Sequence, residues 1–453
     1  MSETENSKRL RVADLFAGVG GFRLGLESVH GEPYEFTFSN QFEPSTKVQH
    51  ASAVYQAHWH TGEHINRDIN EVLNSADGQQ AIRNASPDVV VGGFPCQDYS
   101  VARPLTQSSG LAGKKGVLWW SIAQFLQQCI SNGKPAKYLI FENVDRLLSS
   151  PANHRGRDFA VILSTLRAFG YAAEWRVINA ADYGHAQRRR RTFIVAYHQT
   201  TDIYRRMLAA TVDAKDSPLK QTLLFDAFPC DLLNPLDAVH HALTVADEPL
   251  NEQLRYHSLS NGRSRFGNIG LMVSGSVYTC QSKAHCFDDY SAFSTHRSAL
   301  TLGDIVRKTG PVPTEFYIKP EDEQRWITAK GAKSTARSSN GFEYTYKEGK
   351  MAFPDVLDLP SRTIITSEGG TTPSRTKHSI RDASGKLRRL TPEELEDLCG
   401  FPRGFTDIPG ISSVARARLM GNSLVVPLVQ RIGEALYRAH LHGVGTTARK
   451  LED

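Results

Sequence analysis

The first half of the chain alternates short apolar runs with amphipathic helical stretches, and this alternation restricts the fold more than any other feature. Six apolar runs have the length of strands: Arg11–Phe16, Glu35–Asn40, Asp88–Phe94, Lys137–Val144, Ala172–Asn179 and Arg191–Tyr197. Helical patterns lie between several of them, at Thr46–Trp59, Val117–Ser131 and Arg157–Phe169. Near-continuous apolar runs suit strands that are buried on both faces. The pattern therefore predicts an α/β fold with right-handed βαβ units and a doubly wound, mostly parallel sheet.

After His198 the sequence becomes polar and irregular. Gly, Pro and Ser interrupt this stretch, and only pieces such as Gly270–Cys280 and Phe342–Tyr346 have the pattern of strands. We therefore expect a first domain over residues 9–200 and a second, smaller and irregular β-rich domain over residues 201–355.

Regular structure returns after Arg388. Thr391 followed by Pro392 is typical of a helix N-cap and the first helical residue. The apolar spacing predicts a last helix over Pro427–Leu441, whose apolar face must pack on another element. We expect this C-terminal segment, 356–445, to return to the first domain.

The composition is that of an ordinary globular protein and limits the function only weakly. The net charge of +5 and the pI near 8.8 permit a polyanionic partner without requiring one. The first ten residues are polar and no run of about 18 apolar residues occurs, so we expect neither a secretory leader nor a membrane span. The six cysteines are scattered without a CxxC pair. They are typical of reduced cytosolic thiols, and they indicate no metal site.

Two motifs follow strands that should end at the same edge of the sheet. The glycines of Asp14–Gly21 (DLFAGVGG) let the backbone approach a ligand closely, and Asp14 could hydrogen-bond the amides of the turn. Alone, this motif fits a dinucleotide oxidoreductase, a nucleoside-cofactor transferase or a simple tight turn. Cys96, in Gly92–Gln97 (GGFPCQ), leaves a strand at this edge, where a thiolate would be the strongest nucleophile. The alternative for this cysteine is a buried small hydrophobic residue.

Three further motifs place polar side chains beside regular elements. Glu142, at the end of the next strand, would share a cleft with the cysteine if the two strands are neighbours; pairing with a loop is the alternative. In Gln187–Arg191 (QRRRR), strand alternation would send Arg189 and Arg191 to one side, although such runs are also typical of a solvated face. Gly421–Ser423 (GNS) suits a polar ligand at the start of the last helix.

A basic and aromatic segment lies within the second domain. Gly331–Lys347 contains three basic residues interleaved with Phe342, Tyr344 and Tyr346. Such a mixture could line a nucleic-acid groove or form a solvated surface loop, and the sequence favours neither.

In this order, the motifs DLFAGVGG, GGFPCQ, FENV, QRRRR, LRRLTPEELEDLCGFP and GNS closely resemble the motif series of DNA cytosine-5 methyltransferases of bacterial restriction-modification type. The resemblance covers nearly the whole chain except about 200–355. Pro-Cys-Gln after a strand, with Glu-Asn-Val on the next, is highly specific to that family.

The resemblance implies covalent catalysis. The Cys96 thiolate would add to carbon 6 of cytosine, so that carbon 5 becomes able to attack a sulfonium methyl group. Glu142 matches the acid that protonates or hydrogen-bonds nitrogen 3. Arg189 and Arg191 match the arginines that steady this acid and the flipped base. The motifs assign no base for removing the carbon-5 proton.

The resemblance also implies S-adenosyl-L-methionine as the cofactor. Its contacts in this sequence would be Phe16, Gly18, Gly20, Gly21, Gln41, Phe42, Asp68, Ile69, Pro95, Leu118, Asn422 and Ser423. One departure concerns the ribose. The family commonly has an acid after the second strand that binds the ribose hydroxyls, whereas this chain has Gln41-Phe42-Glu43. Either Gln41 or Glu43 could make that contact.

The implied partner is double-stranded DNA. The target cytosine must leave the duplex to be reached, and Gln97–Gly116 resembles the family's mobile loop that closes over DNA. In it, Tyr99 replaces the usual Phe. Residues 201–355 occupy the slot of the target-recognition domain. We expect a monomer in the bacterial cytoplasm, with a cognate restriction endonuclease acting on the same site.

The nearest alternative is a tRNA cytosine-5 methyltransferase, although such enzymes usually have a shorter insert than residues 200–355. Exocyclic amino methylation needs an Asp/Asn/Ser-Pro-Pro-aromatic motif, which Phe94–Gln97 contradicts. An NAD-dependent oxidoreductase leaves five motifs unexplained. A catalytically silent DNA-binding homologue is disfavoured because the cysteine, the acid and both arginines are present.

Overall fold

The computed structural model describes residues 9–94, 118–151, 154–212, 216–233, 242–257, 264–285, 299–339 and 342–442. The chain divides into two compact units. The first unit takes residues 1–179, 190–286 and 426–453, and the second takes residues 180–189 and 287–425. Pro95, Cys96 and the Gln97–Gly116 segment lie outside the described residues.

The first unit combines a large sheet with flanking helices. Its strands are β1 (Leu10–Leu15), β2 (Tyr34–Asn40), β3 (Glu63–Ile65), β4 (Val89–Gly93), β5 (Tyr138–Val144), β6 (Tyr171–Asn179), β7 (Arg190–His198), β8 (Cys230–Leu233), β9 (Leu243–Thr244), β10 (Ile269–Val273) and β11 (Ser276–Ala284). Its helices are α1 (Gly21–Glu27), α2 (His50–His58), α3 (Ile69–Asn74), α4 (Ala76–Ala85), α5 (Leu118–Ser131), α6 (Arg157–Ala168), α7 (Asp202–Val212), α8 (Leu223–Ala227), α9 (Pro249–His257) and, at the end of the chain, α14 (Val426–His442).

All these strands belong to one sheet, with the order β3-β2-β1-β4-β5-β7-β6-β10-β11-β8 and β9 paired to β11. The neighbours from β3 to β5 are parallel. The neighbours from β5 onward are antiparallel. The predicted α/β class, with a doubly wound Rossmann-like sheet, is confirmed, and each of the six predicted strands is present.

The parallel half of the sheet is buried on both faces. Val90 is fully buried and belongs to the main apolar core. Ala13 and Leu15 of β1 face that core, to which α3, α4 and α5 also contribute. Val12 and Asp14 are equally buried, and they point to the opposite face because side chains alternate along a strand.

Helix α14 packs against α1 through two close glycine contacts. A Cβ on Gly25 would lie 2.7 Å from the Cβ of Val429, and one on Gly433 would lie 2.6 Å from a methyl carbon of Leu26. Tyr34 on β2 also donates a hydrogen bond to the carbonyl of Gly433, at 2.7 Å. The last helix thus rejoins the first part of the chain, as its apolar face predicts.

The second unit contains shorter elements. They are α10 (Leu302–Arg307), α11 (Glu323–Lys330), β12 (Lys333–Ser339), β13 (Phe342–Glu348), β14 (Ile380–Arg381), β15 (Leu387–Arg388), α12 (Pro392–Cys399) and α13 (Ser413–Asn422). β12 pairs with β13 and β14 with β15, both antiparallel. Thr391 forms the predicted N-cap of α12 within a reciprocal capping box with Glu394.

The boundaries of the compact units differ from the expected domain boundaries. Residues 201–286 fall in the first unit because β10 pairs with β6 and so extends the sheet. Residues 356–425 fall in the second unit, and only α14 and the residues after it return to the first. The ten residues 180–189, between β6 and β7, also belong to the second unit.

Candidate active site

The glycine turn after β1 uses backbone conformations that most side chains avoid. Gly18 and Gly20 have φ angles of +58° and +90°, and Phe16 has a φ of +58°. A non-glycine residue in this region is strained, and such strain often lies at functional sites. The turn begins where β1 ends at Leu15, so it lies at the carboxyl edge of the parallel strands. Gly21 begins α1.

Residues that follow β2 and β3 hold this turn. The backbone N–H of Gly18 donates to Oε1 of Gln41 at 2.8 Å, and the N–H of Ala17 donates to the carbonyl of Asn40 at 3.0 Å. Gln41 in turn donates its own N–H to the carbonyl of Ile65 at 3.2 Å. The carboxyl ends of β1, β2 and β3 therefore form one hydrogen-bonded cradle.

Asp14 does not hold the turn as the sequence predicted. Both carboxylate oxygens are buried and have no hydrogen-bond partner among the described residues. Burial raises the pKa of Asp14 well above its usual value, and the positive charge of Arg23 opposes that rise. Its place at the end of β1, facing away from the main core, keeps the carboxyl apart from the turn amides.

An arginine surrounded by aromatic rings lies beside the turn. The Arg23 guanidinium carbon lies 5.1 Å from the ring centres of Phe36 and Trp59 and 5.7 Å from that of Tyr55. A Cβ on Gly20 would lie 2.2 Å from the Trp59 ring. Only glycine therefore fits at that position. This cluster could not be predicted from the sequence, because cation–π contacts between distant residues follow no local pattern.

The remaining cofactor candidates of the first unit have mixed environments. Asp68 is the N-cap of α3, where Oδ1 accepts from the N–H of Asn70 at 2.8 Å. Ile69 is 3 % exposed and belongs to the apolar core. Phe42 is half-buried, and Leu118 is partly buried against the same core. Thus Ile69 serves packing as well as any ligand contact.

Glu142 lies beside the strand that leads to Cys96. β4 and β5 are parallel neighbours, and Gly93 is opposite Glu142 in the register. A Cβ on Gly93 would lie 3.5 Å from Oε2 of Glu142. The amide of Asn143 donates to the carbonyl of Phe94 at 2.8 Å and fixes the end of that segment. The condition stated from the sequence, that the two strands are neighbours, is therefore met.

Arg191 is the partner of this acid. Its Nε lies 2.7 Å from Oε1 of Glu142, with the two side chains 19 % and 14 % exposed. The register explains the contact: Arg191 is opposite Val144 on antiparallel β7, so Glu142 is its diagonal neighbour on the same face. A guanidinium at this distance orients the Glu142 carboxyl group.

Arg189 has different partners from those the sequence predicted. β7 begins at Arg190, so Arg189 and Arg191 do not alternate along one strand. The Arg189 guanidinium donates to the backbone carbonyls of Ile364 and Gly421 at 3.2 Å each, and to that of Ser423. All three acceptors belong to the second unit, as does Arg189.

The Gly421–Ser423 segment ends a helix. Asn422 is the last residue of α13 and is exposed, and Ser423 is the C-cap. The segment also lies just before α14, as the sequence analysis placed it, with Ser423 three residues before that helix begins. Neither residue has a described contact that tests its cofactor role.

Comparison with known proteins identifies the family. Residues 10–438 match the family of C-5 cytosine-specific DNA methylases. The chain belongs to this family. It is 39% identical over 440 residues to the type II methyltransferase M.Sau3AI of Staphylococcus aureus, covering 94% of this chain and 95% of that protein. It is 32% identical to M.HgiBI of Herpetosiphon aurantiacus, with 95% and 97% covered.

A third relative and two solved structures agree. M.HhaI of Haemophilus parahaemolyticus is 30% identical over 66% of this chain and 77% of its own. The crystal structure of the S. pombe Dnmt2 methyltransferase matches with a TM-score of 0.56 at 12% identity, covering 96% of this chain and all of that one. Entamoeba histolytica EhMeth matches at 0.53 and 13%, with 95% and 98% covered. These two structures support the fold. The sequence relatives make this chain a cytosine-5 DNA methyltransferase of type II restriction-modification kind.

Two features are absent from the described ranges. No helix there is both long and apolar enough to cross a membrane. No group of three or more His, Cys, Asp or Glu side chains is placed to hold a metal ion in that part of the chain.

Proposed function

We propose that the chain transfers a methyl group from S-adenosyl-L-methionine to carbon 5 of a flipped-out cytosine in a specific duplex DNA site, through a covalent bond between Cys96 and carbon 6. One observation carries the proposal. The parallel pairing of β4 and β5 sets Gly93 opposite Glu142, which is paired with Arg191, and Cys96 follows Gly93 by three residues. A nucleophile and an acid are the two groups that this reaction needs.

The proposed steps balance in protons and electrons. The Cys96 thiolate adds its electron pair to carbon 6, and Glu142 protonates or hydrogen-bonds nitrogen 3, so that carbon 5 becomes nucleophilic. Arg191 holds the Glu142 carboxyl in place. After methyl transfer the carbon-5 proton leaves to a base and the carbon 6–sulfur bond breaks to release the Cys96 thiolate. Any proton that nitrogen 3 took from Glu142 returns to that carboxyl group. When bound, S-adenosyl-L-methionine supplies the methyl group as an electrophilic sulfonium.

The first unit offers a suitable cradle for the cofactor. The glycine turn over Phe16–Gly21 lies at the carboxyl edge of the sheet, where ligands of such folds bind. The buried Asp14 carboxyl group lacks a hydrogen-bond partner among the described residues, and a cationic ligand such as an amino-acid ammonium or a sulfonium would favour its charged form. We assign the adenine end to Phe42, Asp68 and Ile69, with Pro95 and Leu118 as pocket-lining residues.

The hydrogen bonds of Gln41 favour Glu43 as the acidic residue that binds the ribose hydroxyls of the cofactor. Oε1 of Gln41 already accepts from the N–H of Gly18, so this oxygen is held against the turn rather than directed to a ribose hydroxyl. Ribose hydroxyls also need acceptors, which a carboxylate supplies. The side chain of Gln49 holds the Glu43 backbone, at 2.7 Å from its N–H and 2.9 Å from its carbonyl. We therefore propose that Glu43 binds the ribose and Gln41 holds the turn.

We propose that the DNA site is read by the part of residues 201–355 that belongs to the second unit. The other part, 201–286, extends the sheet of the first unit. Two chimeras separate them: grafting residues 287–355 from a relative of different specificity should transfer the methylation site, and grafting 201–286 should not. Transfer by the second chimera alone would place recognition in the first unit.

We further propose that the protein acts as a monomer in the bacterial cytoplasm, where chromosomal DNA is accessible, alongside an endonuclease cutting the same site. The proposed endonuclease is supported by the relatives, which are named type II methyltransferases. Sedimentation at micromolar concentration tests the monomer, and a dimer would contradict it.

Tritiated S-adenosyl-L-methionine offered with duplex DNA or with tRNA tests the function as a whole. We expect label in the DNA only, at one site that bisulfite sequencing then identifies. Label in tRNA alone would contradict the proposal.

A further inference from the structure

We propose that Gln187 and Arg189 are positioning residues that hold the Gly421–Ser423 turn, and that Arg191 is the arginine of their motif that serves the acid Glu142. The inference rests on the proposed function and on the expectation, from the family resemblance, that Asn422 and Ser423 of this turn bind S-adenosyl-L-methionine. Within the Gln187–Arg191 motif, the first role is to hold the Gly421–Ser423 turn and the second is to hold the Glu142 carboxyl group.

The guanidinium of Arg189 fixes two chain segments at once. Arg189 is 2 % exposed; Nη1 donates to the carbonyl of Ile364, and Nη2 donates to the carbonyls of Gly421 and Ser423. The last two carbonyls lie at the C-terminal end of α13, where carbonyls lack helical partners and a positive charge is favourable. The planar fork of arginine reaches several acceptors, whereas a lysine has one nitrogen.

Gln187 holds the other side of the same peptide. It is fully buried; its Oε1 accepts from the N–H of Ile364 at 3.1 Å, and its Nε2 donates to the carbonyl of Leu398 at 2.9 Å. Since Arg189 binds the carbonyl of Ile364, both polar backbone groups of that residue are fixed by side chains two positions apart. The same segment also pairs by backbone, because Gln187 forms a parallel bridge with Ser361.

The turn rests directly on the segment that these two side chains fix. A Cβ on Gly421 would lie 2.4 Å from the carbonyl carbon of Ile365 and from the nitrogen of Thr366. Backbone atoms cannot yield as a flexible side chain can, so glycine is required here. The position of the turn is therefore set by Ile364–Thr366 on one side and by Arg189 on the other.

Matched lysine variants test this division of roles. We compare Arg189→Lys, Arg191→Lys and a control, Arg389→Lys, whose buried guanidinium also donates to backbone carbonyls of the second unit, those of Gly369 and Glu315. Calorimetry without DNA gives the affinity for S-adenosyl-L-methionine. The rate of covalent adduct formation on 5-fluorocytosine DNA, at saturating cofactor, gives the chemistry.

We expect Arg189→Lys to weaken cofactor binding by about tenfold, the scale of a lost charge-assisted hydrogen bond, with the saturated adduct rate near that of the wild type. Arg191→Lys should instead lower the adduct rate and leave the cofactor affinity unchanged. Arg389→Lys should change neither the affinity nor the rate. A cofactor affinity unchanged in Arg189→Lys, or an adduct rate lost at saturating cofactor, would overturn the inference.

A second variant leaves the arginine in place. Gly421→Ala should displace the turn and weaken cofactor binding to a similar extent, and it decides the question if Arg189→Lys does not fold. The double variant should lose less than the product of the single losses, because both act on one element. If the loss of cofactor affinity in the double variant equals the product of the two single losses, Arg189 and Gly421 do not act on the same turn. A wild-type protein that binds no S-adenosyl-L-methionine would instead overturn the proposed function itself.

Discussion

The parallel half of the first unit and the interior of the second unit are stabilised by different interactions. Strand residues such as Val90 and Ile140 fill the first with apolar side chains. The second buries ionisable groups: Lys330, Asp355, Glu368, His378, Arg388, Glu394, Glu396 and Arg416 are each at most 7% exposed. A sheet satisfies its own backbone, whereas irregular chain needs side chains to satisfy buried carbonyls and amides.

This difference predicts where mutation is most costly to stability. The Arg388 guanidinium binds both carboxylate oxygens of Glu394 at 2.7 and 2.8 Å, and both side chains are buried. Glu394→Gln leaves a buried cation unpaired and should lower the free energy of unfolding by about 3–5 kcal/mol. Trp326 is the one tryptophan in the sequence of the second unit, so its fluorine-labelled NMR signal during urea unfolding reports this unit.

The double variant Arg388→Met, Glu394→Met is the control for that measurement. Replacing both charges by apolar side chains should recover much of the loss, because no unpaired charge remains. If Glu394→Gln were as stable as the wild type, buried ion pairs would not be what stabilises the second unit.

Glu174 is one of the buried ionisable groups of the first unit, and it lies among the antiparallel strands rather than in the parallel half of the sheet. It is buried on β6 and accepts from the Tyr197 hydroxyl and from the N–H groups of Leu223 and Leu224. Burial raises its pKa from 4.5 to about 7 despite these hydrogen bonds. Between those values the folded chain holds a proton that the unfolded chain has lost. Stability from this group therefore falls as pH rises from about 4.5 to about 7, by less than about 3 kcal/mol.

Unfolding midpoints measured at pH 5, 6 and 7.5 test this slope. Glu174→Gln keeps an amide acceptor and donor but cannot titrate, so its midpoint should change less over that range than that of the wild type. Identical slopes for the two proteins would show that Glu174 does not titrate there.

Mutation of Glu142, unlike mutation of Glu394 or Glu174, should change the rate of methyl transfer and leave stability nearly unchanged. It is partly exposed and has Arg191 as its partner, so Glu142→Gln should lower turnover by about 10²-fold or more while the thermal midpoint moves little. Arg190→Gln, which removes an exposed ion pair with Asp145, is the matched control and should affect neither. A Glu142→Gln protein that unfolds would make this residue structural.

The same contrast explains how much could be predicted from the sequence. Predicted strands agree with β1 and β2 to within one residue, because apolar runs bounded by polar residues are a local signal. Short β3 was missed because three residues carry too little pattern. The β6–β10 pairing joins residues about a hundred positions apart, so no local pattern indicated that residues 201–286 extend the sheet.

Within the site, the contacts of residues on strands were predicted better than the contacts of residues in the segments that connect strands and helices. Glu142 lies where the parallel register implied, and Arg191 joins it. Arg189 lies one residue before β7 begins and donates to distant backbone carbonyls, contacts that strand alternation could not indicate. The hydrogen bond from Gly18 to Gln41 joins residues 23 positions apart, so no local pattern indicated that Gln41 rather than Asp14 holds the turn.

Trapping the covalent bond tests the central claim most directly. Duplex DNA with 5-fluorocytosine in the target site cannot release the carbon-5 substituent as a proton, so a covalent Cys96–carbon 6 adduct should accumulate in the presence of S-adenosyl-L-methionine. We predict a denaturant-stable protein–DNA adduct with the wild type, a single modified peptide containing Cys96 by mass spectrometry, and no adduct with Cys96→Ala. An adduct that persists in Cys96→Ala, or that maps to another residue, would contradict the account.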